Sequence, residues 1–115
     1  MNIAVVIPYY QKSAGVLTRS LKSVFAQTLA NDVRLDVIIA DDASPLDPAG
    51  DIAEAGAPPA GVSIRVVKRA NGGPGAARNT ALEAVAKDCD LIAFIDSDDE
   101  WTPDHLSRAI EALGE

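Results

Sequence analysis

At 115 residues with 48% hydrophobic side chains, the chain has the size and composition of one domain built around one core. Seventeen Asp and Glu against ten Lys and Arg give a formal net charge of -7, which argues against a general nucleic-acid surface or an affinity for acidic membranes, so any phosphate must be met locally. No apolar run is long enough to span a bilayer, "MNIAVVIPYY" lacks a basic leader, and the single Cys89 has neither a disulfide partner nor metal-site spacing, which suits a reducing cytoplasm.

The first apolar run, 3–7, reads as a strand that exits into "PYYQK". A helix follows, with Leu17, Leu21, Val24 and Phe25 on one face, and then a second strand at 37–40 that exits into "DDAS". The stretch "ASPLDPAGDIAEAGAPPAG" reads either as a short helix around 51–57 or as loop, because it is dense in Pro, Gly and Ala. A third strand at 62–67 exits into "KRANGGPGAAR". The next helix has Pro74 suited to its first turn and Ala77, Ala81, Leu82 and Val85 along one face. A fourth strand at 91–95 exits into "DSDDEW", and the last helix is expected to use Thr102 as N-cap and Pro103 in its first turn, with Leu106, Ile110 and Leu113 facing the core.

Short strands rich in Val and Ile alternate with helices, which predicts an α/β fold: a Rossmann-like parallel sheet of about four strands, buried on both faces, with right-handed crossovers and helices on both sides. In such sheets ligands sit beyond the carboxyl ends of the strands. Three of the four exits carry charges or glycines there.

Asp96, Asp98, Asp99 and Glu100 at the end of an apolar strand need an explanation, since two like charges about 5 Å apart repel by roughly 3 kcal/mol at an effective dielectric of about 20. If the chain stays extended, alternation puts Asp96 and Asp98 on one side and Ser97 and Asp99 on the other. Two carboxylates on one side suit a hard divalent cation, Mg²⁺ or Mn²⁺, completed by a diphosphate. The plainer alternative is a solvated acidic loop at a helix N-terminus, which accounts for Glu100 and Asp104 but not for Asp96 directly at the strand end.

Asp41 and Asp42 can accept hydrogen bonds from a ribose hydroxyl or a base N–H, or else form an Asx-turn with Ser44 and Pro45. "NGGPGAARN" offers close backbone approach and a helix start, but Arg78 stands where a dinucleotide fingerprint requires a small residue. Arg78 can supply positive charge to a phosphate, or pair with Glu83 or an acidic loop. Tyr9 and Tyr10 can stack on a planar base or cover the sheet edge. Trp101 and His105 read as a packed ring and a helix-surface residue, and one histidine supports no Ser-His-Asp set.

Taken in order, "AVVIPYYQK", "LKSVFAQT", "VIIADDAS", "NGGPGAARNTALEAV" and "DLIAFIDSDDEWTPDHL" resemble glycosyltransferase family 2, the inverting enzymes of the A-type glycosyltransferase fold, over nearly the whole chain. "IPYYQK", with Gln11 where the family usually has Asn, is similar to exopolysaccharide glucosyltransferases of the succinoglycan type. The resemblance implies that Pro8 to Tyr10 line a nucleotide pocket, that Asp42 holds the uracil with Asp41 beside it, and that Arg78 lies near the diphosphate. It makes Asp96, Ser97 and Asp98 the Asp-x-Asp motif, with Asp98 the metal contact and Asp96 beside it or on the ribose.

The implied partners are a UDP-sugar, Mn²⁺ or Mg²⁺, and a saccharide or lipid-linked acceptor that receives a hexose; nucleic acid is not among them. Ala43 replaces the family's usual Gly. The acceptor half with its general base would lie downstream of Glu115. Residues 1–115 are therefore expected to be the donor-binding part of a truncated domain, unable to turn over alone, cytoplasmic or at the inner face of the membrane in a longer protein, and prone to self-associate through an uncovered sheet edge.

Two other readings fit parts of the pattern. A phosphatase of the haloacid dehalogenase type would use Asp96 as nucleophile and Asp98 as acid, but it wants small or β-branched residues at Asp99 and Glu100 and leaves "DDAS" unexplained. A non-catalytic nucleotide-binding or interaction module would need only a structural acidic loop.

Overall fold

A computed structural model describes residues 1–114. The elements run β1 (Asn2–Tyr9), α1 (Val16–Phe25), β2 (Arg34–Asp41), α2 (Ala49–Ala55), β3 (Val62–Lys68), α3 (Pro74–Glu83), β4 (Leu91–Phe94) and α4 (His105–Gly114). The four strands form one sheet in the order β3-β2-β1-β4, and every neighbouring pair is parallel. The expected alternation is therefore present, and the stretch read as helix or loop does form a helix, α2, of 7 residues.

Alternation along β1 and β2 feeds two cores. Ile3, Val5, Ile7 and Tyr9 join Leu35, Val37 and Ile39 beneath α1, which contributes Leu17, Leu21 and Val24; Ile52 of α2 and Leu106 of α4 close the same face. On the opposite face Ala4, Val6, Ile38 and Ala40 meet Ala77 and Ala81 of α3. The small residues of α3 allow its backbone to lie close to the sheet.

The edge strands correct one expectation. Only β1 and the carboxyl half of β2 are buried on both faces, whereas β3 and β4 alternate or stay exposed, with Ile92 39% and Phe94 49% accessible. One helix, α3, covers the face of the sheet toward which Ile92 and Phe94 point, and it lies over β1 and β2. Leu82 and Leu113, expected in the core, are exposed, and Val85 packs against the second core from just past the end of α3.

A second correction concerns the start of α4. The Thr102 hydroxyl donates to the Asp104 carboxylate instead of capping, and the helix begins at His105 after a turn that contains Pro103. Among the described residues no helix is long and apolar enough to cross a membrane.

Candidate functional site

At the carboxyl ends of β1, β2 and β4 the chain encloses a cavity of about 340 Å³, lined by Pro8, Tyr9, Tyr10, Gln11, Asp42, Asn71, Gly73, Ala77, Asp96, Ser97 and Asp98. A second opening of about 380 Å³ lies on the other side of the acids, between Arg78, Phe94, Asp99 and Trp101. A larger opening, about 710 Å³, is at the opposite end of the sheet around Asn2, Arg34, Asp36 and Arg65, where an Asp36–Arg65 ion pair closes on itself. Strand-end geometry and the acid cluster both favour the first as the site.

The acids do not follow strand alternation. β4 ends at Phe94, and Asp99 N–H donates to Asp96 O at 3.0 Å, so the chain turns immediately after the strand. The turn brings Asp99, expected on the far side, into a group with Asp96 and Asp98, whose carboxylates each offer an oxygen within 4.8 Å of the others. Ser97 points inward, 5% exposed, and its Oγ accepts from Gln11 Nε2 at 2.8 Å. Three exposed carboxylates are a hard oxygen donor set, the kind that Mg²⁺ and Mn²⁺ take.

Two guanidinium groups flank the cluster. Arg78 lies 3.1 Å from Asp96 Oδ1, so it pairs with the acidic loop and not with Glu83, and Arg19 lies 2.7 Å from Glu100. Both pairs are about half exposed and contribute little to stability, but they set positive charge where a phosphate would approach.

Asp42, 3% exposed, fastens the glycine loop beside it. Its two carboxylate oxygens accept from Gly72 N and Gly73 N, each at 2.9 Å, and Arg69 Nε lies 3.1 Å from Oδ1. Asn71 Nδ2 completes the attachment by donating to Asp42 O. A Cβ at position 72 would come within 2.5 Å of the Arg69 guanidinium, so glycine there allows the close approach. Asp41 is differently employed: its Oδ1 accepts from Ser44 N, three residues on, at 3.0 Å, and it lines a recess with Lys68 outside the 340 Å³ cavity. The same turn holds Ala43 at φ 56°, a left-handed conformation that costs a side chain about 1 kcal/mol relative to glycine.

The two tyrosines separate. Tyr10 is 47% exposed at the cavity mouth, whereas Tyr9 is fully buried, and its hydroxyl lies near Ser44 without forming a hydrogen bond of good geometry. Burial pushes the Tyr9 pKa up, the Asp51 carboxylate adds to the effect, and the nearby Ser44 side chain partly lowers it. A folded pKa above the unfolded one contributes stability that is present below about pH 10 and is lost as pH rises through the folded value. Tyr9→Phe removes both the unpartnered hydroxyl and this ionisation. It should melt at or above the wild-type temperature, by up to about 1 kcal/mol, with a flatter alkaline limb in thermal unfolding scans from pH 8 to 11. A loss of more than about 1 kcal/mol would mean that the hydroxyl does have a partner.

Trp101 is half-buried against the first core and stacks on His105 with ring centroids 4.6 Å apart, as expected of a packed ring. Sequence reasoning gave Asn71 no role, took Gly73 only as one of the glycines that allow close backbone approach, put Asp99 on the side away from Asp96 and Asp98, and treated Gln11 only as a departure from a motif. Their signal was position: each lies within a strand-exit segment already singled out.

The model of the family described as Glycosyl transferase family 2 matches residues 4–115. Across 112 residues the chain is 50% identical to the succinoglycan biosynthesis protein ExoW of Rhizobium meliloti, covering 97% of this chain and 34% of that protein. The crystal structure of S. aureus TarS 1-349 in complex with UDP-GlcNAc superposes with a TM-score of 0.74 at 27% identity, over 99% of this chain and 31% of that one. The mannosyltransferase PcManGT of Pyrobaculum calidifontis, in complex with GDP-Man and Mn²⁺, superposes with a TM-score of 0.77 over 98% of this chain and 32% of that one; at 21% identity it shows the shared fold. The chain spans about a third of the length of the proteins it matches.

Proposed function

Because this chain belongs to glycosyltransferase family 2, we propose that it forms the nucleotide-sugar-binding part of an inverting, metal-dependent enzyme that transfers a hexose from a UDP-sugar to a saccharide or lipid-linked acceptor. The observation that carries this reading is the group of Asp96, Asp98 and Asp99 oxygens within 4.8 Å of one another at the end of β4, between two cavities and beside Arg78. The identity to a succinoglycan biosynthesis protein favours an exopolysaccharide product, and the UDP-GlcNAc complex of TarS favours a UDP-sugar donor.

In this reading the uracil lies in the 340 Å³ cavity, with Tyr10 and Pro8 against its ring and Asp42 accepting from its N–H. A carboxylate has about four acceptor sites, so Asp42 can accept one more hydrogen bond while it holds Gly72, Gly73 and Arg69. Asp98 and Asp96, joined by Asp99, would hold Mn²⁺ or Mg²⁺, and the Gln11–Ser97 hydrogen bond ties the turn between them to the end of β1. When bound there, such an ion would supply Lewis-acid neutralisation of a departing diphosphate, assistance that can contribute several kcal/mol. Arg78, 3.1 Å from Asp96 and about half exposed, would be free to turn its guanidinium to a phosphate oxygen. No group on this chain is assigned as the acceptor's base; we place that carboxylate in the remainder of the enzyme, so the chain alone is near-inactive, since such a base contributes about 10²–10⁴-fold.

Calorimetry with UDP, with and without Mn²⁺, tests this directly. Mn²⁺ should tighten UDP binding at least about tenfold, a difference of ~1.4 kcal/mol. No binding under either condition would leave a non-catalytic module. The phosphatase reading is not favoured, since the chain belongs to a transferase family and Asp96 is paired with Arg78.

The outer edge of β4 has no strand partner among the described residues, and Ile92 and Phe94 are exposed on it. On this basis we also assign self-association to that edge. Light scattering of concentrated protein should report a dimer or larger species, and Phe94→Lys should shift it toward the monomer. A clean monomer for the wild-type chain would refute the assignment.

A further inference from the structure

The acid-bearing turn is held from behind by one face of α1 and the residues just after it. Ser20 is fully buried, and its Oγ proton is shared between Ser97 O, at 2.8 Å, and Asp99 O. Ser23 Oγ accepts from Trp101 N at 3.1 Å and donates to Ser20 O at 2.7 Å. Gln27 Nε2 donates to Thr102 O at 2.7 Å, while its Oε1 accepts from Leu106 N at 2.9 Å. Arg19 reaches Asp98 O at 3.4 Å and pairs with Glu100. These positions recur at helical spacing and so present one stripe of donors and acceptors.

Apart from the Arg19–Glu100 ion pair, what the stripe touches is the backbone of the turn, not the carboxylates of Asp96, Asp98 and Asp99. The carbonyls of Ser97, Asp98, Asp99 and Thr102 face α1, and the exposed carboxylates of Asp96, Asp98 and Asp99 point away toward solvent. Clustered like charges would otherwise splay a short turn, because separating them is favourable. Tying its backbone to a packed helix opposes that, and short serine side chains do so at little entropic cost.

We propose that Ser20 and Gln27 are positioning residues that hold the acidic turn in the spacing a divalent ion requires, so that α1 sets the metal affinity of the site without touching the metal. The proposal rests on the metal-binding reading above, and a metal site needs its ligands held to within about 0.5 Å.

Trp101 is the one tryptophan of the chain and its N–H is part of the attachment, so its fluorescence reports the seat of the turn independently of any ligand. The experiment measures acrylamide quenching of Trp101, and Mn²⁺ affinity at saturating UDP, in wild type, Ser20→Ala and Gln27→Glu. Val37→Ala, a fully buried β2 residue, serves as a control for general destabilisation. Gln27→Glu keeps the acceptor for Leu106 N but removes the Nε2 donations to Thr102 O and, at 3.1 Å, to Ser23 O, so it carries the test if Ser20→Ala fails to fold.

Both variants should raise quenching and weaken Mn²⁺ binding about tenfold, the low end for residues that orient ligands, while Val37→Ala stays within about twofold. Unchanged quenching, or freed Trp101 with unchanged Mn²⁺ affinity, would overturn the proposal. A wild-type chain that binds no Mn²⁺ while Ser20→Ala frees Trp101 would support the attachment and overturn the metal reading instead.

Discussion

Asp98→Ala should abolish the Mn²⁺-dependent part of UDP binding, weakening it at least about a hundredfold, ~2.7 kcal/mol, with almost no change in stability. The separation of the two effects follows from what Asp98 does in the fold. Its carboxylate is exposed and makes no hydrogen bond or ion pair among the described residues, and only its backbone carbonyl is used, by Arg19. Truncation leaves no buried group unsatisfied and relieves repulsion from Asp96 and Asp99, so the change in unfolding free energy should stay within about 0.5 kcal/mol.

Asp96→Ala should behave differently, since it also frees Arg78 from its ion pair and leaves that guanidinium available to phosphate. Calorimetry with UDP in Mn²⁺ and in chelator separates the variants: Asp98→Ala loses the metal-dependent increment, while Asp96→Ala loses it but gains some metal-independent affinity. If Mn²⁺ tightens UDP binding to Asp98→Ala as it does to wild type, Asp98 is not a metal ligand.

Asp51→Ala should destabilise the fold by about 3 kcal/mol, lowering the melting temperature on the order of 10 °C. The start of α1 has no cap of its own, because position 15 is a glycine at φ 93° and has no side-chain acceptor. Asp51 of α2 supplies it from 36 residues away: its carboxylate, 4% exposed, accepts from Gly15 N at 3.0 Å, Leu17 N at 3.0 Å and Thr18 N at 3.3 Å. The Thr18 hydroxyl returns a bond to Asp51 O at 2.9 Å.

Hydrogen bonds to a buried charged acceptor contribute about 1.5–3 kcal/mol each, and partial hydration of the exposed Gly15 in the variant recovers some of the loss. Asp51→Asn keeps an acceptor and should fall between wild type and Asp51→Ala. A shift of less than about 2 °C in thermal unfolding of Asp51→Ala would show that water replaces the carboxylate at no cost. Because α1 also holds the acidic turn, this cap lies at the base of the site as well as of the helix.

Much of the architecture was legible locally. Runs such as IAVVI and VIIA between polar exits specify strands in a covered sheet, and Leu17, Leu21 and Val24 at helical spacing specify the face of α1, because burial of each side chain depends mainly on its own hydrophobicity and its period along the chain. The edge status of β3 and β4 was less legible. Edge position depends on which strands neighbour which, and the pattern along 62–68 or 91–94 does not carry that order. Even so, the alternation of exposed Ile92 and Phe94 with half-buried Leu91 and Ala93 marks β4 once its place is known.

Residue order along the chain is enough to specify the sheet-and-helix alternation, the four strand exits, and the acids at two of them. Each of these follows from short-range preferences that residues express whatever surrounds them. Tertiary structure decided that Asp99 joins Asp96 and Asp98, that Asp42 holds the glycine loop, that Asp51 caps α1, and that Ser20 and Gln27 seat the acidic turn. All four are hydrogen-bond or charge contacts whose formation depends on angle and on separations of a few ångströms. The first is a turn from Asp96 to Asp99 whose shape is held from outside by α1, and the other three join residues 30 to 77 positions apart, which reach those separations only after hydrophobic burial has fixed where the backbones lie.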